Sequence, residues 1–187
     1  MRQPRALEPL RRETERAGFT MASDPQAGEL LRALAAMKPN GRVLELGTGT
    51  GIGTAWILDG LSDAGRVETI DNDERMQSIA RTHLGGDPRV RFHLEDGGAF
   101  LERSRGAYDL IYADAWPGKF THLDLALARL SDAGIYFIDD LLPQSNWPEG
   151  HGAKVGALVA DLEGRSGFRT ARLAWSSGLM IVVKAAP

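Results

Sequence analysis

Short apolar runs alternate along the chain with longer segments whose apolar residues return every three or four positions. Ser23-Asp24-Pro25 predicts a helix start, with an oxygen-bearing cap and a proline suited to the first helical position. Ala27, Leu30, Leu31 and Leu34 then share one face, and Lys38-Pro39-Asn40-Gly41 ends the helix. Arg42 to Leu46 reads as a buried strand, 47–53 as a glycine-rich turn and Ile52 to Leu61 as a helix. The unit then repeats. Strand Val67 to Ile70 precedes a helix from Asp71 to Leu84, and strand Val90 to Leu94 precedes a short helix near 98–104. Strand Tyr108 to Ala113 precedes a helix near 119–130. Strand Gly134 to Ile138 is followed by a loop with Pro143 and Pro148 and a helix near 153–163. Strands at 168–175 and 178–184 meet across the tight Ser176-Ser177-Gly178 connection.

Five strand–helix alternations predict a doubly wound α/β fold, a mostly parallel seven-stranded sheet covered on both faces. The final pair leaves no room for a crossover helix and predicts a C-terminal antiparallel hairpin. The 187 residues suit one domain, assigned to 21–187. Residues 1–20 carry five Arg and three Glu among few apolar residues. They read as a flexible or helical N-terminal arm, a solvated tail before a lid.

Composition narrows the partners. Apolar residues make up 43% and charged residues 25%, as in an ordinary globular domain. The absence of cysteine excludes disulfides, thiolate zinc sites and cysteine nucleophiles. A net charge of -3 argues against a nucleic-acid footprint, and no apolar run reaches the length of a membrane span. No signal-peptide core opens the chain. These features predict a cytoplasmic protein with a small-molecule partner, no nucleic acid and no membrane, with a homodimer left open.

Candidate chemistry begins at the first strand end, Glu45-Leu46-Gly47-Thr48-Gly49-Thr50-Gly51-Ile52-Gly53. Glycines there permit positive φ and close backbone approach to a ligand. A Gly-x-Gly-x-x-Gly dinucleotide spacing fails, because Ile52 or Thr54 stands where its third glycine belongs. Glu45 is a carboxylate inside an apolar run, costly unless paired with a ligand cation or a backbone N–H of the turn.

The segment Val43-Leu44-Glu45-Leu46-Gly47-Thr48-Gly49-Thr50-Gly51 resembles motif I of class I S-adenosylmethionine-dependent methyltransferases, which share a Rossmann-like sheet ending in an antiparallel hairpin. The resemblance extends from about Met21 to Lys184. It implies S-adenosylmethionine as cofactor, held by Glu45, Gly47, Thr48, Gly49 and Gly51 of the turn, by Asp71 and Asn72 after the second strand, by Asp96 and Gly97 after the third, and by Asp114 after the fourth. Asp71 would accept from the ribose hydroxyls, and Asp96 from the adenine amine. Either could instead cap a helix.

Asp114 ends the fourth strand, and Asp139-Asp140 ends the fifth. This resembles the catechol O-methyltransferase-like branch, in which Asp…Asp-Asn holds a divalent cation. It implies a metal site at Asp114, Asp139 and Asp140, with Mg2+ the natural ion, although Asp140 stands where that branch has Asn. The branch's catalytic lysine follows its first aspartate at Asp-x-x-Lys; here Pro117-Gly118 precede Lys119. Lys119 and His151 are the candidate bases, and Trp116 and Trp147 the candidate walls for a flat acceptor ring. The expected activity is methyl transfer to a hydroxyl oxygen of a small molecule. Rivals are a metal-free N-methyltransferase, a nicotinamide oxidoreductase and a protein that holds the cofactor without turnover.

Overall fold

A computed structural model describes residues 3–185. The first helix, α1, spans Leu7–Ala17, and Gly18 ends it in the left-handed region, where its N–H and that of Phe19 bond back to Glu15 and Thr14. The expected solvated tail is instead docked: Leu7 and Leu10 are fully buried. α2 (Pro25–Ala36) starts where the sequence places it, with Asp24 accepting from Gln26 N–H and Pro25 in the first turn.

Strands β1 (Arg42–Leu46), β2 (Arg66–Asp71), β3 (Val90–Leu94), β4 (Tyr108–Ala113) and β5 (Leu130–Ile138) lie parallel, connected through α3 (Ile52–Gly60), α4 (Glu74–Leu84), α5 (Gly97–Arg103), a kinked turn α6 (Trp116–Lys119) and α7 (Leu123–Ala128). After α8 (His151–Gly164) come β6 (Phe168–Leu173) and β7 (Leu179–Lys184). The strand order is β3-β2-β1-β4-β5-β7-β6, and β7 runs antiparallel to both its neighbours. The predicted terminal hairpin is therefore present, with its second strand inserted against β5.

Alternation along the central strands divides the core into two layers. Val43, Leu110, Tyr112, Ile135 and Phe137 pack towards α1, α2 and α3. Leu44, Leu46, Ile111, Tyr136 and Ile138 pack towards α5, α7 and α8. No helix among the described residues is long and apolar enough to cross a membrane.

The helix expected near 119–130 is a correction. Gly118 has φ 91 and His122 φ 57, which break the helix on both sides of Thr121. β5 starts at Leu130, four residues before the expected Gly134, because Leu130 pairs with Tyr108 across a bulge before Ile135 resumes pairing with Leu110.

Candidate active site

The chemistry gathers one step beyond the carboxyl ends of β1 to β5, the usual ligand edge of an open α/β sheet. Gly47 has φ 104, and a Cβ there would stand 2.8 Å from the backbone oxygen of Asp114, so the turn passes β4 closely only as glycine. Gly49 N–H donates to Asp71 Oδ2 at 2.7 Å, and Asp73 N–H to Asp71 Oδ1 at 2.9 Å. Asp71 thus holds the glycine turn, and Asp73 is the residue that caps α4. Asp96 caps α5 through Ala99 N–H. Together these walls enclose a cavity of about 590 Å³, roofed by Phe19, Met21 and Trp116.

A second cavity of about 330 Å³ adjoins it and shares Met21, Ala22, Ser23 and Asp114. Its far wall comes from three segments tied together. Ser176 in the β6–β7 turn donates to Asp24 at 2.7 Å, Ser177 donates to Asp139, and Leu141 N–H donates to Gly178 O at 2.9 Å. The Tyr112 hydroxyl sits between the two cavities' acids, 2.8 Å from Asp139 Oδ2 and 3.2 Å from Asp114 Oδ2, while Ser23 Oγ donates to the same Asp114 oxygen at 3.2 Å. Burial pushes Asp114 well above the usual carboxylate range; the Asp139 charge adds to this and Lys119 opposes it. Burial also raises Asp140, against the pull of Lys119.

The profile of a methyltransferase-domain family matches residues 44–141. The chain belongs to that family. A relative from Mycolicibacterium smegmatis, whose name assigns it provisionally to the O-methyltransferases, is 35% identical over 101 residues, covering 51% of this chain and 48% of the relative. The chain thus spans about half the length of the curated relatives it matches. Among solved structures, a Corynebacterium glutamicum protein superposes with TM-score 0.84 at 25% identity, covering 97% of this chain and 90% of that one. The O-methyltransferase TomG from Streptomyces achromogenes, in complex with S-adenosylmethionine, superposes with TM-score 0.85 at 20% identity over 99% and 92% of the chains, a likeness of fold.

In this methyltransferase domain, Gly47, Thr48, Gly49, Asp71, Asn72, Asp96 and Asp114 all line the larger cavity. Glu45, Gly51 and Gly97 do not. Gly51 packs on α4, where a Cβ would meet Ala80 Cβ at 2.7 Å, and Gly97 packs on Pro117. Glu45 lies beneath the turn and is satisfied by neither of the partners expected for it. Its Oε2 accepts from Thr69 at 2.6 Å and from Thr54, and its Oε1 is buried without a partner. The register explains this: Tyr112, Glu45 and Thr69 form one row across β4, β1 and β2. Thr48 and Gln77 extend the chain of bonds to α4.

The three acids implied as a metal site end up at one place in the fold. Asp114, Asp139 and Asp140 line the smaller cavity together, although among the described residues no three His, Cys, Asp or Glu side chains converge as placed in the manner of a metal centre. The Asp139 oxygens accept from Tyr112, Ser177 and Asp140 N–H. The candidate bases also shift. Lys119 is buried and donates to Asp139 O at 3.1 Å, while His151 opens α8 inside a box of Trp116, Phe120 and Trp147; neither lines either cavity. Burial and Lys119 lower the His151 imidazole below its usual range. Trp116 walls the larger cavity and Trp147 packs on His151, so neither walls the smaller one as an acceptor ring site would need. The sequence reading missed Ser23 as a wall of both cavities and Tyr112 as the group between their acids. Ser23 looked like a helix cap, and Tyr112 like a core residue of an apolar strand.

Proposed function

We propose that this domain transfers the methyl group of S-adenosylmethionine to a hydroxyl oxygen of a small molecule. The observation that carries the reading is the pair of adjoining cavities sharing Asp114 and Ser23: the larger has the glycine turn and Asp71 of a nucleoside site, and the smaller opens onto the same carboxyl. When bound, the donor supplies an electrophilic methyl, whose bond to sulfur breaks, the sulfur keeping the electron pair, as the new bond to oxygen forms. Asp71 and Asn72 would hold the ribose, Asp96 the adenine edge, and the backbone of 47–49 the amino-acid end, all of them lining the larger cavity. Asp114 faces both cavities and accepts the acceptor's hydroxyl proton. Placing the hydroxyl in line with the methyl is the domain's main contribution. A cytoplasmic setting belongs to the same proposal.

Calorimetry tests the donor. S-adenosylhomocysteine should bind and NAD should not; NAD binding alone would overturn the reading. Asp114→Asn should keep S-adenosylhomocysteine binding while kcat falls roughly 10²–10⁴-fold, the usual contribution of a positioned base.

A further inference from the structure

We propose that Gln77, which lines neither cavity, is a positioning residue of the donor site: from α4 it holds the Thr48 hydroxyl, and with it the part of the glycine turn that meets the donor's amino-acid end. The inference rests on the methyl-donor reading above. Gln77 is fully buried, and Thr48 nearly so. Gln77 Nε2 donates to Thr48 Oγ1 at 3.2 Å and to His93 O at 2.9 Å. Its Oε1 accepts from Arg81 Nε at 3.1 Å and from Arg81 Nη2 at 2.8 Å. Two donated and two accepted bonds complete what an amide can make. One side chain thereby joins α4, β3 and the turn after β1.

The direction of these bonds is forced. A guanidinium only donates, so the exposed Arg81 fixes the amide with its oxygen outward and its nitrogen towards the turn. At the other end, Thr69 gives its proton to Glu45 Oε2 at 2.6 Å. The 2.6 Å contact between Thr48 and Thr69 is therefore donated by Thr48, whose oxygen accepts from Gln77. Every bond runs one way, from the Arg81 guanidinium to the Glu45 carboxyl, and bonds aligned in this manner strengthen one another. The backbone of the turn is held elsewhere: Gly47 and Thr48 N–H share Ile70 O at 2.9 and 3.1 Å, and Gly49 N–H bonds to Asp71. Gln77 is its polar hold on α4. Without the amide, Thr48 Oγ1 loses its incoming donor and His93 O loses a partner, and an unmade bond of this kind is costly when buried. That cost falls on the turn, and so on ligands that use the turn.

Calorimetry with two ligands tests this. S-adenosylhomocysteine and 5′-methylthioadenosine share the nucleoside and its sulfur, and only the first has the amino-acid end. In Gln77→Met, S-adenosylhomocysteine should bind about tenfold more weakly, while 5′-methylthioadenosine keeps its affinity to within about twofold. In a Thr48→Val background, Gln77→Met should cost S-adenosylhomocysteine nothing further, because the two side chains act through one bond. Arg81→Met, a surface change, frees the amide to turn and should weaken S-adenosylhomocysteine by about two- to fivefold; Arg81→Lys, again only a donor, should restore it. Unchanged S-adenosylhomocysteine affinity in Gln77→Met, equal losses for both ligands, or an undiminished loss in the Thr48→Val background overturns the proposal. If Gln77→Met does not fold, the Arg81 pair decides: a loss that lysine restores supports the proposal, and no loss, or a loss that lysine does not restore, overturns it. If the natural protein binds no S-adenosylhomocysteine, the donor reading falls and takes this proposal with it. Binding that the variants leave untouched removes this proposal alone.

Discussion

At the scale of single residues, the burial of Glu45 has a measurable consequence. Burial raises its carboxyl to about 8, even though hydrogen bonds from Thr54 and Thr69 pull it down; the Asp71 charge adds to the rise. Unfolded, the same group titrates near 4.5, as an ordinary glutamate does. Between these limits the folded chain keeps a proton that the unfolded chain has released. The stabilisation from that proton is complete below the unfolded value, declines by about 1.4 kcal/mol per pH unit through the window, and is gone above about pH 8. Glu45→Gln stays neutral throughout while its oxygen can still accept from both threonines. Urea unfolding at acid, neutral and alkaline pH should therefore show the variant gaining on the natural protein as pH rises. Parallel curves would mean that Glu45 is charged in the fold.

At the scale of elements, close packing decides where local preference does not. Gly28 is the fourth residue of α2, where alanine would favour helix by up to about 1 kcal/mol. A Cβ at this position would overlap the indole of Trp56, a core residue of α3. Overpacking of this kind costs about 1–3 kcal/mol, so it outweighs propensity. Gly28→Ala should lower the urea midpoint, and a raised midpoint would show that the two helices separate freely. The same competition explains what was legible in the sequence. Arg42–Leu46, Val90–Leu94 and Tyr108–Ala113 form strands with the expected bounds because short apolar runs with flanking turn residues carry that signal locally. α4 begins at Glu74 rather than Asp71 because Asp71 bonds to the glycine turn, a contact made across the sheet. The break at Gly118 depends on φ, and the early start of β5 on a pairing with Tyr108; neither is written in the periodicity of 119–134. In the site, the glycine turn and the strand-end acids could be read from position alone. Their hydrogen-bond commitments could not, because Tyr112, Ser177 and the Asp140 N–H reach Asp139 only through the folded sheet edge.

At the scale of the whole molecule, the N-terminal arm belongs to the site's support. Leu7 and Leu10 anchor α1 in the layer that holds α3. Thr14 donates to Leu10 O and shares a 2.7 Å bond with Thr50 of the glycine turn. Phe19, just beyond the helix, lines the larger cavity, and a Cβ on Gly49 would lie 3.2 Å from its ring. One face of α1 is therefore core and its end is cavity wall, so a ligand that orders the turn must also restrain the arm. Binding to the folded state alone raises its stability by mass action, and the gain is felt wherever local opening would disrupt the bound form. Amide hydrogen exchange should then slow over 7–17 as well as 47–53 when S-adenosylhomocysteine saturates the protein, and the distant β6 edge should change least. Thr14→Val removes the bond to Thr50 while keeping the shape of the side chain. In that variant, protection should still rise over 47–53 and rise less over 7–17. Unchanged exchange in the arm of the natural protein, with the turn protected, would show that α1 is packed beside the site without being coupled to it.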